Sequence, residues 1–141
     1  MKKITLILIS LIMVIWLSGC EITIKPDYDE DNQTLTFVEA KFYDYFDDKE
    51  CVGLIFDYTN NSGENKYPSA NFTIGVCQKG KVLDTLWVTE VDGVVGAAAS
   101  VPTDTTARVV YLYVLRDNSS LSVEISDGQK FTINYEQIVK M

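Results

Sequence analysis

The chain contains no histidine among its 141 residues. Histidine is the usual general base, metal ligand and pH-sensitive group of proteins near neutral pH. Its absence argues against hydrolysis by a Ser-His or Cys-His pair. No glycine-rich phosphate loop leads from a strand into a helix, so nucleotide binding lacks support as well. The sequence therefore predicts a protein that is not an enzyme, with no catalytic residue, no cofactor and no metal site.

Basic residues are also scarce, with 12 Lys and Arg against 20 Asp and Glu, and the formal net charge is −8. Proteins that bind nucleic acid neutralise phosphates with clustered Lys and Arg side chains. This composition excludes nucleic acid as an expected partner.

Long apolar runs are confined to the N-terminus. Lys2 and Lys3 precede residues 4–17, which are apolar apart from Thr5 and Ser10. As a helix this run spans about 21 Å, which is short of the ~30 Å hydrocarbon core of a membrane. Basic residues, a short apolar stretch and small residues after it are typical of an export signal.

The end of that run has a specific pattern. Leu17-Ser18-Gly19-Cys20 resembles the lipobox of bacterial lipoproteins, and the resemblance implies that Cys20 is diacylated and becomes the first residue after cleavage. The predicted location is the outer face of the cell membrane, with the diacylglycerol on Cys20 as the contact with lipid. Without residues 1–19 the chain loses two lysines and no carboxylate, so the net charge changes from −8 to −10. Anionic head groups should repel such a chain, so the acyl chains must hold it.

An acidic segment follows the cysteine. Residues 20–33 have low hydrophobicity and carry acidic residues at 27, 29, 30 and 31, which predicts a solvated tether. The Asp-x-Asp-x-Asp spacing from Asp27 is typical of a calcium loop, but such a loop needs Gly at its sixth position and Glu at its twelfth. Asn32 and Val38 occupy those positions. We therefore divide the chain into a signal peptide (1–19), a tether (20–33) and one folded domain (34–141).

Within the domain, alternation of apolar and polar residues predicts strands separated by short turns, with almost no helical periodicity. This pattern predicts an all-β fold, an antiparallel sandwich or barrel of about seven strands. The predicted strands are Leu35–Tyr45, Val52–Thr59, Ala70–Cys77, Val82–Val91, Arg108–Arg116, Leu121–Ser126 and Lys130–Asn134.

Two hairpins have a predicted register. Pairing the second and third strands around Glu64 places Phe56 opposite Phe72 and Leu54 opposite Ile74, with all apolar pairs on one face. The last two strands are predicted to pair across Asp127-Gly128-Gln129, with Ile125 opposite Phe131.

The first register also places Cys51 opposite Cys77. Facing residues of antiparallel strands come within about 4.5 Å between Cα atoms, which a disulfide accepts. With Cys20 acylated, an exported protein has an even pair left, so Cys51 and Cys77 are candidates for a structural disulfide. The alternative is a pair of small buried residues that stay reduced.

Three motifs of this domain are similar to a known family. They are Tyr58-Thr59-Asn60-Asn61-Ser62, then Gln78-Lys79-Gly80-Lys81-Val82-Leu83, then residues 102–115 with their Pro-x-x-Thr lead. Together they resemble the immunoglobulin-like domains of unknown function found in lipoproteins of low-GC Gram-positive bacteria. The resemblance implies an antiparallel immunoglobulin-like β-sandwich and brings no reaction. Residues 91–101 depart from the pattern because they are rich in Gly and Ala, and Gly93–Ser100 is either a mobile binding loop or a linker.

Aromatic residues supply the candidate binding positions. Trp87, Phe56, Phe72 and Tyr111 follow strand alternation and are expected in the core. Tyr43, Tyr45, Tyr67 and Tyr113 are candidates for a binding face, because exposed tyrosines are common in interfaces.

The remaining candidate site is acidic. Asp44, Asp47, Asp48 and Glu50 lie in one predicted turn, and two of them would suffice for a glycosidase pair or a cation site. Turns of this composition are ordinarily solvated, which is the interpretation we favour.

Three functions follow, in this order of preference. The first is a lipid-anchored surface module that binds a protein, peptide or glycan, or serves as an accessory of the envelope. The second is an envelope enzyme or cation-binding protein that uses the Asp44–Glu50 cluster. The third is an inhibitor or exclusion factor that acts on an incoming enzyme or phage.

Overall fold

The computed structural model of the protein describes residues 32–44 and 49–140. The predicted signal peptide, Cys20 and nearly all of the tether lie outside these residues, as do Tyr45, Asp47 and Asp48. No helix among the described residues is long and apolar enough to cross a membrane.

Ten strands make up most of the domain. They are β1 (Gln33–Asp44), β2 (Glu50–Asn60), β3 (Ile74–Gln78), β4 (Lys81–Val82), β5 (Thr85–Leu86), β6 (Glu90–Val91), β7 (Val94–Gly96), β8 (Thr105–Val114), β9 (Leu121–Ile125) and β10 (Lys130–Ile133). A one-turn helix, α1 (Pro68–Asn71), lies between β2 and β3, and a 3-10 turn (Tyr135–Gln137) follows β10.

The strands form two sheets. The first has the order β1-β2-β8-β7-β6, with β5 also paired to β8, and the second has the order β10-β9-β3-β4. The β7–β8 pair is parallel, and the other strand pairs are antiparallel. The predicted all-β sandwich is confirmed.

One apolar core fills the space between the sheets. Its residues alternate along β1, β2 and β8 of the first sheet and β3 and β9 of the second, as expected for strands with one buried face. Phe56, Phe72 and Tyr111 are buried there as predicted. The hydroxyls of Tyr111 and Tyr113 donate across the core to the carbonyl oxygens of Phe72 (3.1 Å) and Ile74 (2.9 Å), which joins the two sheets by hydrogen bonds.

The predicted pairing of β2 with β3 is wrong. In the structure β2 lies between β1 and β8, so that Phe56 faces Phe37 on one side and Val109 on the other. The segment containing residues 70 and 71 is in α1 and not in a strand. Leu54 and Ile74 do share one core, but they reach it from opposite sheets, because alternation identifies a buried face and not the neighbouring strand.

This topology also separates the two cysteines. Cys51 lies on β2 opposite Tyr43 and Val114 in the first sheet, whereas Cys77 lies on β3 opposite Ser122 and Val82 in the second. The Cys51 thiol donates to the carbonyl oxygen of Lys49 at 3.6 Å. The predicted register that placed Cys51 opposite Cys77 is therefore wrong, because β2 and β3 lie in different sheets.

The last hairpin forms with a different register. Phe131 faces Val123 and not Ile125, because Gly128 at φ 100° donates to the carbonyl oxygen of Ile125 and tightens the turn. A shift of two residues leaves every side chain on its predicted face, so Val123, Ile125 and Ile133 are still buried.

The Gly/Ala-rich segment, residues 91–101, contains strand structure and is not a continuous loop or linker. β6 and β7 form a hairpin around Asp92-Gly93, whose φ values of 48° and 78° are typical of a two-residue turn that matches the twist of the strands. This β6–β7 hairpin extends the first sheet beyond β8. A second apolar cluster, the hairpin cluster, is formed by Tyr43, Cys51, Ile55, Val88, Val91, Val110 and Leu112.

Candidate binding surface

The four tyrosines predicted as binding candidates do not converge. Tyr43 and Tyr113 are buried, with 4% and 1% of their surface exposed, and Tyr113 belongs to the main core. Tyr67 is 51% exposed and lies just before α1. Tyr45 lies outside the described residues. The two buried tyrosines are therefore corrected to structural residues, and Tyr67 keeps an accessible ring.

The burial of Tyr43 has a local cause. Its ring lies across Gly53 of the neighbouring strand, where a Cβ atom would come within 2.3 Å of Tyr43 Cε2. Burial raises the pKa of the Tyr43 hydroxyl, and the nearby carboxylates of Asp92 and Glu39 raise it further. Glycine at position 53 thus lets an aromatic ring pack flat against the sheet.

The predicted acidic cluster is divided by the structure. Asp44 and Glu50 are exposed at the ends of β1 and β2, and a Glu50 carboxylate oxygen accepts a hydrogen bond from the Tyr135 hydroxyl at 2.6 Å. Asp47 and Asp48 lie outside the described residues. Among the residues that are described, no group of three or more His, Cys, Asp or Glu side chains is arranged to hold a metal ion.

The first family motif has a structural role. The Asn60 side chain is fully buried and donates from Nδ2 to the carbonyl oxygens of Glu64 and Val101, both at 2.9 Å. Its Oδ1 accepts from the amide and the hydroxyl of Ser62. The Asn60 carbonyl oxygen accepts from the amide of Asp104, in the Pro-x-x-Thr lead of the third motif. The first and third motifs therefore meet and fix the loops at one end of the sandwich.

The second motif acts in the same way at the other end. Gln78 is 1% exposed, and its Nε2 donates to the carbonyl oxygens of Asp117 and Ser119 while its Oε1 accepts from the amides of Arg116 and Asp117. Hydrogen bonds from Ser119 hold the pKa of the Asp117 carboxyl below its usual range, and Lys79 contributes to the same effect. Asn60 and Gln78 therefore position loops, and neither is an accessible binding group.

Trp87 is the residue whose predicted position differs most from the structure. It was expected in the core, yet 63% of its surface is exposed, more than any other large apolar residue of the described chain. Leu86 and Val88 on either side pack into the hairpin cluster, which directs the intervening Trp87 ring away from it. The signal was present in the sequence as alternation, but it was assigned to the wrong face.

The segment that carries Trp87 passes from one sheet to the other. The Lys79-Gly80 turn, with φ values of 48° and 76°, closes a tight hairpin, and the amide of Leu83 donates to Val76 in the second sheet. The amide of Val114 in the first sheet donates to the carbonyl oxygen of the next residue, Asp84. We name residues 81–92, which contain this crossing, the crossover edge.

The crossover edge combines exposed apolar and acidic side chains. Val82 is 48% exposed in addition to Trp87. Asp84, Glu90 and Asp92 are also exposed, and none of them forms an ion pair with any other described residue. Other carboxylates of the described domain do form ion pairs, as Asp57 does with Arg108 at 3.2 Å. An exposed indole beside unpaired carboxylates is a surface suited to binding and not to stabilising the fold.

These features define the class of protein as a small all-β sandwich whose most exposed aromatic side chain, Trp87, lies on one edge. The family is shown directly: the model of the family described as "Domain of unknown function (DUF5067)" matches residues 23–127, and the chain belongs to that family. The match begins inside the predicted tether. None of the curated proteins matches the chain.

A solved structure supports the fold. It is described as a "putative lipoprotein from Staphylococcus aureus subsp. aureus NCTC 8325" and superimposes with a TM-score of 0.60 at 14% identity. The superposition covers 85% of this chain and 96% of that one. At this identity the likeness shows the fold alone.

Proposed function

We propose that the protein is a lipid-anchored bacterial surface module, immunoglobulin-like in topology and non-catalytic, which binds a partner through the crossover edge. The observation that carries the proposal is the exposed Trp87, which the fold does not use for its core. The membrane contact is the diacylglycerol on Cys20, which places the domain on the outer face of the cell membrane.

The order of the strands supports an immunoglobulin-like domain. Variable-type immunoglobulin domains have the strands A-B-E in one sheet and G-F-C-C′ in the other. The first sheet begins β1-β2-β8 and the second is β10-β9-β3-β4, which is the same order when β1, β2, β3, β4, β8, β9 and β10 take the letters A, B, C, C′, E, F and G.

Two observations support the anchor. The four residues Leu17-Ser18-Gly19-Cys20 follow an apolar run too short to span a membrane. The structurally similar protein from Staphylococcus aureus is itself described as a lipoprotein.

Metabolic labelling tests the anchor. Cells that express the wild type or Cys20→Ala are grown with a palmitate analogue, and we expect label on the wild type only. The diacylglycerol adds to the mass of the protein, so the intact mass of the extracted protein provides a second measurement. Equal labelling of both proteins contradicts the anchor.

Site-specific photo-crosslinking tests the binding surface. A photoreactive amino acid replaces Trp87 in one strain and Tyr67 in another, since both positions are exposed but occupy different parts of the domain. We expect a discrete crosslinked product from position 87 on intact cells and none from position 67. A partner that comes from an infecting phage or a secreted enzyme assigns the protein as an exclusion factor or inhibitor. Identical products from both positions, or none, contradict binding through the crossover edge.

A further inference from the structure

The chemistry of the crossover edge indicates what kind of partner it accepts. We infer that this edge docks a basic polypeptide segment, with Trp87 packed against the aliphatic parts of Lys or Arg side chains and the carboxylates of Asp84, Glu90 and Asp92 facing their charges. The inference deepens the proposed function, since it rests on binding through the same edge.

The apolar part of the surface provides the contact. Trp87 and Val82 are 63% and 48% exposed and lie on one short crossing between the sheets. An indole face attracts a cation as well as apolar groups, and Trp and Arg are the residues most enriched at the energetically dominant positions of interfaces. An exposed tryptophan on this segment does nothing for the core, because Leu86, Val88 and Val91 already fill the hairpin cluster.

The charges select the partner. Residues 81–92 contain three carboxylates and one cation, Lys81, which lies at the end of the segment beyond Val82. Glu90 precedes the buried Val91, so alternation directs its carboxylate away from the hairpin cluster, as it does the Trp87 ring. The charge of Asp92 also raises the pKa of the Tyr43 hydroxyl, as does the charge of Glu39, so a further carboxylate lies near this surface. A partner with negative charge would meet like charges along most of this surface.

The net charge of the whole chain favours the same kind of partner. The net charge without residues 1–19 is −10, so the long-range field also favours a cationic partner. An anionic lipid surface or an anionic polymer is disfavoured by the same charges. Trp87 is the most exposed large apolar side chain of the described residues, which distinguishes this edge from the other acidic parts of the domain.

Peptide titration tests the inference on the full chain extracted from membranes in a non-ionic detergent. The probe is a dye-labelled octapeptide of alternating Lys and Gly, and the control probe has Glu in place of Lys. Binding is followed by fluorescence anisotropy at low and at physiological salt. We expect saturable binding of the Lys peptide only, weakened by salt because exposed charge pairs are screened.

Matched variants locate the binding. Neutralising the edge with Asp84→Asn, Glu90→Gln and Asp92→Asn should weaken binding about tenfold, since three exposed pairs each contribute modestly. The control neutralises three exposed carboxylates elsewhere, by Glu64→Gln, Asp104→Asn and Glu136→Gln, and changes the net charge equally. Trp87→Ala should weaken binding at least about fivefold, whereas Tyr67→Ala should leave it unchanged. Far-UV circular dichroism confirms that each variant is folded.

Equal weakening by the two triple variants, or an effect of Tyr67→Ala as large as that of Trp87→Ala, overturns the inference. So does binding of the Glu peptide. If position 87 crosslinks a partner on cells while the Lys peptide fails to bind, the basic partner is excluded and the proposed function stands. If Cys20 carries no lipid, the anchor fails and the peptide result is unaffected.

Discussion

Two amide side chains, Asn60 and Gln78, fix the loops at opposite ends of the sandwich. Each is buried, and each satisfies backbone groups of a loop far away in sequence. A buried amide is tolerated only where all of its donors and acceptors are paired, and no buried side-chain N or O atom of the described residues lacks a hydrogen bond. The presence of Asn60 and Gln78 in the family motifs is therefore explained by loop geometry.

Replacing Asn60 should show how much this geometry contributes to stability. Asn60→Ala leaves the carbonyl oxygens of Glu64 and Val101 without their side-chain donor, so we expect the free energy of unfolding to fall by about 3 kcal/mol. Urea unfolding followed by circular dichroism measures it. The neighbouring Asn61 is exposed, and Asn61→Ala is the control, with an expected change within about 0.5 kcal/mol. Similar losses for both variants would contradict the role of Asn60.

The buried tyrosines predict how stability depends on alkaline pH. Burial raises the pKa values of the Tyr111 and Tyr113 hydroxyls, and for Tyr111 the other tyrosines add to the effect. A tyrosine ionises with a pKa of about 10 in the unfolded chain. Above that pH the unfolded state therefore loses the tyrosine protons, whereas the folded state keeps them, and unfolding becomes more favourable. The stabilisation is complete below that pH and is lost as the pH rises toward the folded pKa.

We expect stability to be flat between about pH 7 and 9 and to fall steeply above about pH 10. Tyr113→Phe loses the hydrogen bond to Ile74 and should be less stable at neutral pH, but its alkaline slope should be smaller. Tyr67→Phe removes an exposed hydroxyl and should leave the slope unchanged. Urea unfolding at several pH values measures both quantities, and an unchanged slope in Tyr113→Phe is the contrary result.

At the scale of the elements, alternation in the sequence was sufficient to predict the long strands and the two-layer fold. It was insufficient for pairing, because Leu54 and Ile74 have the same buried face whether they are neighbours in one sheet or opposed across the core. The register that placed Cys51 opposite Cys77 failed for that reason. Trp87 was expected in the core for a related reason: alternation separates it from Leu86 and Val88 but does not identify which of the two faces is buried.

The β6–β7 hairpin was also missed, although its turn was visible. Asp92-Gly93 between apolar residues is a strong signal for a two-residue hairpin turn. The hairpin packs closely because Gly96 lacks a side chain: a Cβ atom there would lie 1.9 Å from the carbonyl oxygen of Val88. The amide of Gly96 also donates to Thr89, and the amide of Ala98 donates to Val88.

Gly96→Ala should therefore displace the hairpin from the sheet. The amides of Gly96 and Ala98 donate to Thr89 and Val88, so their hydrogen exchange reports how often the hairpin opens. We expect these amides to exchange much faster in Gly96→Ala than in the wild type, as measured by hydrogen-exchange mass spectrometry. Gly63→Ala is the control, because nothing lies within 4 Å of its added Cβ atom and only its positive φ is strained. Equal exchange rates in the two variants would exclude local opening.

At the scale of the whole molecule, charge is distributed unevenly around one exposed indole. The chain has two tryptophans, and Trp16 lies in the predicted signal peptide, so the fluorescence of the processed protein comes from Trp87. Its neighbours along the chain include the unpaired carboxylates of Asp84 and Glu90. The local potential at the crossover edge should therefore be negative and should concentrate cations near the indole.

Collisional quenching measures that potential without any partner. We expect caesium to quench Trp87 more efficiently than iodide at low ionic strength, and the difference to shrink as salt is added, because the Debye length falls to about 10 Å at 0.1 M. Neutralising Asp84, Glu90 and Asp92 together should remove most of the difference, whereas neutralising Glu64, Asp104 and Glu136 should preserve it. If iodide quenches as well as caesium in the wild type, the crossover edge is not an anionic surface, and its proposed preference for basic segments has no electrostatic basis.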